Sequence, residues 1–201
     1  CPKNEKKDKP YSSFEKNSAA SPLLKSGFPK PLFKKLFIDE AIQLIGKLVN
    51  INSGTNNHQG VNKIANLMTE RFRRLGFYVE RIPNSDKGIG DHLILSRQKL
   101  GNNFTVFLSG HMDTVFSGSE SVNLRQDKHR LIGPGVIDMK GGLVVMLYVL
   151  ELLNEEGLID KINFLGLLNS DEEIGSKDSR AYAECIISEN PVDLGLVFEF
   201  N

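Results

Sequence analysis

FTVFLSGHMDTVF (104–116) is a short apolar run that ends in two polar residues, His111 and Asp113. The run is rich in β-branched and aromatic residues, which predicts a buried β-strand. A histidine and an aspartate directly after such a strand form either an ordinary polar turn or a pair of ligands. In open α/β sheets, ligands bind at the carboxyl ends of the strands, so the second interpretation depends on which residues come after the other strands.

The segments on either side of this run alternate between helix and strand patterns. Two helices come first, over 36–49 and 61–75, with Gly76 suited to the end of the second. The remaining elements are predicted strands at FYVERI, HLILS, KINFLGLLNS and DLGLVFEF, a hairpin arm at RLIG, and helices over 142–155 and 176–189. This alternation predicts an α/β fold with a mixed, largely parallel sheet flanked by helices.

The beginning of the chain differs in composition from the rest. Residues 1–35 contain nine lysines and three acidic residues, a net charge of +6, although the whole chain is neutral. We predict that residues 1–33 are a disordered lysine-rich tether and lead-in, followed by one domain over 34–201. A first cysteine before a polar tether is typical of a processed bacterial lipoprotein, which would be extracytoplasmic and anchored to a membrane through a lipidated Cys1. If Cys1 is an arbitrary starting point, we expect a cytoplasmic protein.

Several function classes are disfavoured by the sequence. No stretch approaches the ~20 apolar residues that span a bilayer. The neutral chain has no basic, aromatic-rich pattern for nucleic acid outside the tether, so no nucleic-acid partner is expected. GPGVIDMKGG (133–142) is not a phosphate-binding loop, because Gly141 rather than Ser or Thr follows Lys140, and no GxSxG motif occurs. Two cysteines cannot form a Cys/His zinc cluster of the usual spacing.

Polar residues recur where predicted strands or apolar helices meet loops. They are His111 with Asp113, Asp138 in GPGVIDMKGG, Asp171-Glu172-Glu173 after FLGLLNS, and Glu199 in LVFEF. Taken singly, the first three have ordinary explanations as turn formers or as an acidic helix start. Glu199 lies in an apolar run, where an unpartnered carboxylate is costly to bury. Their joint occurrence favours a single site.

These residue types suit metal-dependent hydrolysis. Imidazole and carboxylate groups are zinc ligands, and a carboxylate can bridge two metal ions that hold a hydroxide nucleophile. A ligating histidine commonly gives its second N–H to a carboxylate, and alternate strand residues share a face, so Asp113 can support His111. Of two adjacent glutamates, one can bind metal while the other takes a proton from water.

At these residues the chain resembles the zinc-dependent exopeptidase family of aminoacylase, acetylornithine deacetylase, succinyl-diaminopimelate desuccinylase and glutamate carboxypeptidase. SGHMDTVF resembles the first metal motif of the family, GPGVIDMKGG the bridging-aspartate motif and NSDEEIGS the paired-glutamate motif, and LVFEF stands where the next ligand strand belongs. The resemblance runs from about Leu48 to the end. LVNINSGTNNHQG, GFYVER and NSDEEIGSKDSR are most similar to the bacterial glutamate carboxypeptidase branch.

The resemblance implies a role for each candidate residue. The implied ligands of two divalent ions, zinc or else cobalt or manganese, are His111, Asp138, Glu173 and Glu199, with Asp138 bridging. Glu172 is the implied general base and acid, and Asp113 the residue that orients His111. The resemblance also implies a cis peptide bond after Asp138. By position in the motifs, His58, His92 and His129 are expected to be loop and surface histidines.

The implied function is a two-zinc, carboxypeptidase-type metallohydrolase. Its expected substrate is a small peptide or N-acyl amino acid, glutamate-like by resemblance, attacked by a metal-bound hydroxide with Glu172 as general base. Two alternatives stay open: an aminoacylase or deacetylase of the same family, and a truncated metal-binding chain without activity of its own. In the family a lid or dimerisation domain and a further histidine ligand come later in the chain. We therefore expect this chain to be an N-terminal half, with homodimerisation residing outside it.

Overall fold

A computed structural model describes residues 30–98, 104–116 and 123–199. The predicted tether and Cys1 lie outside the described residues, apart from residues 30–33. The first helix begins at Lys30, so these four residues are helical and are not part of a disordered lead-in. Within the described ranges, no helix combines the length and apolar character needed to cross a membrane.

The order of helices and strands follows the predicted alternation. The helices are α1 (Lys30–Val49), α2 (His58–Arg74), α3 (Gly141–Glu155) and α4 (Ser179–Glu189). The strands are β1 (Tyr78–Ile82), β2 (His92–Arg97), β3 (Thr105–His111), β4 (Arg125–Gln126), β5 (Leu131–Ile132), β6 (Asn163–Asn169) and β7 (Leu194–Val197). Strands β4 and β5 form the predicted short hairpin.

Three helix starts differ from the prediction by three residues or more, and one of them is that of α4, which begins at Ser179 instead of residue 176. Helix α1 begins six residues earlier than the expected residue 36. Helix α2 begins at His58, three residues before the expected residue 61, because the side chain of Asn57 accepts a hydrogen bond from the Gly60 backbone N–H at 3.1 Å and caps the helix. Gly76 follows the end of α2 with a φ of +79°, as expected for a helix-ending glycine.

The main sheet has the strand order β1-β2-β6-β3-β7. Strand β2 runs antiparallel to both of its neighbours, whereas β6, β3 and β7 run parallel to one another. The sheet is therefore mixed, as predicted, with four strands in one direction and β2 in the other. The parallel group β6-β3-β7 has all of its carboxyl ends at one edge.

Helices cover both faces of this sheet. Alternate side chains of a strand point to opposite faces, so Val106 and Leu108 of β3 face α1, α2 and α3, while Phe107 faces α4. Leu93, Leu95 and Leu108 are fully buried in the larger core. Each such side chain contributes about 1.5–3 kcal/mol to folding.

Strand β7 is exposed, contrary to the expectation from its apolar sequence. It pairs only with β3 among the described strands and forms an edge, which leaves Leu194, Leu196 and Val197 at least one-third exposed. Glu199, which follows the strand, is also exposed, so it is not the buried carboxylate that LVFEF suggested.

Gly142 allows the start of α3 to approach the chain just after β7. A Cβ built on Gly142 would lie 1.9 Å from the carbonyl oxygen of Phe198, which is backbone and cannot rotate away. We expect Gly142→Ala to lower the free energy of unfolding by about 1–3 kcal/mol, despite the better helix propensity of alanine, because α3 and Phe198 must separate. Urea unfolding measures this change.

Gly195→Ala is the matched control for this prediction, because nothing lies within 4 Å of a Cβ at Gly195 in β7. The control should unfold like the wild-type protein. Equal stability of the Gly142→Ala and Gly195→Ala variants would contradict the close approach at Gly142.

Candidate metal centre

The parallel strands β6, β3 and β7 bring three of the predicted motifs to one edge of the sheet. His111, the last residue of β3, pairs in register with Asn169, the last residue of β6. Ser109 of β3 pairs in the same way with Val197, the last residue of β7. The glutamates after β6 and Glu199 after β7 therefore lie on either side of His111, as expected when parallel strands end together.

Asp138 reaches this edge on a kinked helical turn, Val136–Lys140, which leads into α3. The buried side chain of Met139 packs against Gly110, and its sulfur lies 3.0 Å from the backbone nitrogen of His111. The turn is thereby fixed against the end of β3. The Asp138–Met139 peptide bond is cis, which confirms the expectation from the resemblance.

The His111 imidazole lies between two aspartates and is 1% exposed. Its Nε2 is 2.7 Å from Oδ1 of Asp138, and its Nδ1 is 3.0 Å from the carbonyl oxygen of Asp113 and 3.2 Å from Oδ1 of that residue. Burial lowers the pKa of His111, but hydrogen bonding to Asp113 and the charges of Asp113 and Asp138 outweigh it and raise the pKa to about 9. Without metal, the ring is therefore a cation at neutral pH.

The Asp113 carboxylate holds several parts of the site together. Its Oδ2 accepts hydrogen bonds from the Thr55 hydroxyl at 2.8 Å and from the Glu173 backbone N–H at 3.3 Å. Its Oδ1 accepts one from the backbone N–H of Glu172 at 3.3 Å. Because Asp113 also contacts Nδ1 of His111, one buried carboxylate orients the imidazole and the turn that carries both glutamates.

The two glutamates after β6 lie close to the His111 ring. Oε2 of Glu172 is 3.9 Å from Nε2 of His111, and Oε1 of Glu173 accepts a hydrogen bond from the Val115 backbone N–H at 3.1 Å. Partial burial raises the pKa of both carboxyl groups, whereas the charge of His111 opposes this effect. The charge of Glu199 raises the pKa of Glu172 further. The charge of Asp138 does the same for Glu173. A raised carboxyl pKa lies closer to neutral pH, and a general base works best when its pKa is near the pH of the reaction.

The described residues form two overlapping groups suited to a metal ion. One group is His111, Asp138 and Glu199, and the other is His111, Glu172 and Glu173; in each group the ligand atoms lie within 4.8 Å of one another. One imidazole nitrogen with several carboxylate oxygens is a donor set for zinc and related divalent ions. The structure thus brings all of the predicted site residues together, and His111 belongs to both groups.

Three residues near this centre were missed by sequence reasoning. His92, expected to be a surface or loop histidine, is completely buried, because β2 carries it beside the end of β6. Lys140 is 2% exposed, donates a hydrogen bond to the carbonyl oxygen of Ile51 at 2.8 Å, and has a pKa lowered by burial to about 8. Thr55 is buried against Asp113. Lys140 lies inside the motif GPGVIDMKGG, and Thr55 lies inside LVNINSGTNNHQG. Their positions within these motifs were the feature of the sequence that could have indicated their place near the centre.

The raised pKa of His111 predicts a pH dependence of stability in the metal-free protein. A folded pKa above the ordinary value of 6.5 means that the stabilisation is fully present below about pH 6.5 and is lost as the pH rises through about 9. We expect the wild-type protein to lose up to about 3 kcal/mol relative to a His111→Gln variant across that window. Urea unfolding with a chelator at pH 6.5 and 9.5 measures this difference, and an unchanged difference between the two proteins would contradict it.

Residues 107–199 match the family model described as Peptidase family M20/M25/M40. The chain is 32% identical to carboxypeptidase G2 from a Pseudomonas species over 77% of this chain and 39% of that protein. It is 27% identical to acetylornithine deacetylase from Buchnera aphidicola over 80% of this chain and 45% of that protein. The chain therefore spans about two fifths of the length of these relatives.

The fold is also similar to that of solved structures. Human carnosine dipeptidase 1 superposes with a TM-score of 0.70 and 18% sequence identity, over 83% of this chain and 39% of that one. At this identity the likeness concerns the fold alone, a mixed sheet flanked by helices. The family match over residues 107–199 and the sequence relatives show that this chain is similar to peptidase family M20/M25/M40.

Proposed function

We propose that this chain provides a two-metal centre for the hydrolysis of an amide bond in a small peptide or N-acyl amino acid. The observation that carries the proposal is the pair of ligand groups that share His111. Nε2 of His111 can bind only one ion, so the carboxylates that it does not share leave donors for a second ion, with Asp138 as the ligand that would be common to both. In this assignment Glu199 and His111 bind one ion, and Glu173 binds the other.

The donor set fits the divalent ions that it would hold. His111 presents Nε2 to the carboxylates while Asp113 occupies Nδ1, which is the usual arrangement of a metal-binding histidine and its carboxylate partner. Zinc, when bound, would polarise the scissile carbonyl and make water nucleophilic at neutral pH. The remaining steps of the reaction belong to residues of this chain.

Glu172 is the residue best placed to move a proton. Its side chain is 40% exposed, so water can reach it, and its raised pKa suits a group that accepts a proton from water and returns it to the leaving amine. The backbone N–H of Glu172 donates to Oδ1 of Asp113, which fixes the turn below the carboxylate. Asp113 therefore positions both the imidazole and the general base.

The proposed substrate is glutamate-like at its free carboxylate end. This choice follows the similarity to carboxypeptidase G2 and the motifs of the glutamate carboxypeptidase branch. An aminoacylase or deacetylase substrate is the alternative within the family, in keeping with the similarity to acetylornithine deacetylase. Homodimerisation and a lipid anchor at Cys1 remain predictions from the sequence.

A second candidate function is metal binding without turnover by this chain alone. The observation that favours it is the openness of one side of the centre, where Glu199 is exposed and the Asp138 side chain is 46% exposed. Exclusion of water strengthens electrostatic interactions in an active site, and the described residues leave this side uncovered. The activity of the chain alone separates this function from the proposed hydrolysis.

The proposed function is tested by zinc-dependent release of amino acid from N-acyl glutamate. The assay uses this chain and the full-length protein encoded by its parent reading frame, each with zinc and with a chelator, and includes N-acetylornithine as a competing substrate. Release of glutamate that requires zinc supports the proposal, and activity only in the full-length protein supports the second candidate for the chain alone. Absence of zinc-dependent hydrolysis in both proteins contradicts the proposed function.

A further inference from the structure

His92 lies beneath the turn that carries the paired glutamates, although 80 residues separate it from Glu172 in the chain. Strand β2 begins at His92 and runs antiparallel to β6, with Leu93 opposite Leu168, so the start of β2 meets the end of β6. The imidazole is completely buried. A buried histidine needs hydrogen-bond partners for both ring nitrogens, and here the two nitrogens contact different parts of the glutamate turn.

One ring nitrogen of His92 accepts a hydrogen bond from the backbone. The backbone N–H of Ser170 points at Nδ1 at 3.2 Å. The Ser170 hydroxyl is 3.1 Å from the same nitrogen but donates its hydrogen to the carbonyl oxygen of Gly90 at 2.5 Å. The Ser170 N–H therefore favours an Nδ1 without a hydrogen, since a protonated Nδ1 would face it donor to donor.

The other ring nitrogen of His92 then carries the hydrogen of the neutral ring. Nε2 lies 3.1 Å from Oδ2 of Asp178 and 3.3 Å from the side-chain nitrogen of Asn84. With Nδ1 acting as an acceptor, Nε2 donates to the Asp178 carboxylate, because a ring that accepts at both nitrogens would be an anion. The Asn84 amide nitrogen is a donor as well, so Asp178 is the acceptor of this hydrogen. Asp178 thus selects the tautomer that leaves Nδ1 open to Ser170.

Asp178 also makes hydrogen bonds at the end of segment 170–178, which begins at Ser170 and carries both glutamates. Its backbone N–H donates to Oδ2 of the buried Asp171 at 2.8 Å, and its own Oδ2 accepts the Ser85 N–H at 3.3 Å. Although burial raises the pKa of Asp178, hydrogen bonds from Ser85 and His92 outweigh that effect and lower it. The carboxylate is therefore charged at neutral pH and can hold the His92 hydrogen.

We propose that His92, held in its Nε2–H tautomer by Asp178, is a positioning residue for segment 170–178, which carries Glu172 and Glu173. The pair connects the first and last residues of the segment through one buried ring. Its effect on the metal centre rests on the proposed function, whereas the tautomer and the hydrogen bond to Ser170 do not.

The first test is the tautomer of His92 in the wild-type chain, measured by long-range proton–nitrogen NMR of the ring. The expected spectrum has the hydrogen on Nε2 and a non-protonated Nδ1, and the Ser170 amide should be protected from hydrogen exchange. A hydrogen on Nδ1 would overturn the proposal without any variant, so the test does not depend on how a substituted protein folds.

The second test is Asp178→Asn, which can present an amide N–H to Nε2 and so favours the wrong tautomer. We expect hydrogen exchange at Ser170 to accelerate about tenfold or more, and the zinc affinity, measured by competition with a chelator, to fall about tenfold. Asp39→Asn, the same change on the exposed face of α1, should alter neither quantity. Unchanged exchange at Ser170 would overturn the proposal, and altered exchange with unchanged zinc affinity would overturn its link to the metal centre.

A failure of the proposed function is distinguishable from a failure of this inference. If the wild-type chain binds no zinc but shows the expected tautomer and exchange pattern, the metal centre is wrong and the positioning of segment 170–178 is supported. If zinc binds tightly while His92 carries its hydrogen on Nδ1, the metal centre is supported and the inference is wrong.

Discussion

Replacing Glu172 with glutamine is expected to reduce turnover by about 10²–10⁴-fold while leaving the zinc content close to that of the wild-type protein. The carboxamide keeps the size of the side chain but cannot take a proton from water or return it to the leaving amine. Metal content should persist because, in the proposed assignment, His111, Asp138, Glu173 and Glu199 supply the ligands. Steady-state kinetics with N-acyl glutamate and metal analysis of the full-length protein measure the two quantities.

Two control variants separate this role from general effects of removing a carboxylate. Glu184→Gln, on the exposed surface of α4, should show wild-type turnover. Glu173→Gln should lose zinc together with turnover, since Glu173 is the proposed ligand. A Glu172→Gln protein that retains turnover within a few fold of the wild type would remove Glu172 from the proposed mechanism.

The second large effect is expected from His111→Ala, which should weaken zinc binding by more than about 100-fold. Loss of an outer partner of a ligand already costs about 10–100-fold in affinity, and in the proposed assignment His111 is a direct ligand of one of the two ions. The variant also removes a buried ring that contacts Asp113 and Asp138. Zinc affinity should therefore fall most at the position that His111 would share with Glu199. Calorimetric titration with zinc alone measures the stoichiometry and the affinity.

His129→Gln is the matched control for that experiment, because His129 lies exposed in the turn between β4 and β5. It should bind zinc like the wild-type protein. Circular dichroism of the His111→Ala variant establishes that the fold is retained. Two zinc positions of wild-type affinity after loss of His111 would contradict its role as a ligand.

The general architecture could be predicted because its signals are local. Short β-branched runs such as FTVFLSG and the apolar pattern of α3 predict their own secondary structure, and their alternation predicts the mixed sheet. The convergence of the motifs follows from the same pattern, since neighbouring parallel strands end at one edge. The resemblance added the expected cis bond at Asp138, which strand and helix patterns do not encode.

The differences arise where a residue's surroundings depend on strand order. The apolar sequence of β7 does not show that this strand is exposed, because its position at the end of the strand order, paired only with β3 among the described strands, is set by the topology of the sheet. His92 shows the opposite case, because the antiparallel pairing of β2 with β6 buries the first residue of the predicted strand HLILS, a histidine that was expected to be a loop or surface residue. Neither pairing can be read from a short window of sequence.

The central claim is that His111, Asp138 and the glutamates after β6 and β7 surround two divalent ions. The most direct measurement is anomalous X-ray diffraction from crystals of the protein grown with zinc. We expect two zinc peaks about 3.5–4 Å apart, with Asp138 between them and Nε2 of His111 about 2.0–2.1 Å from one of them. Zinc bound elsewhere, or crystals in which Asp138 and His111 contact no metal, would contradict this claim.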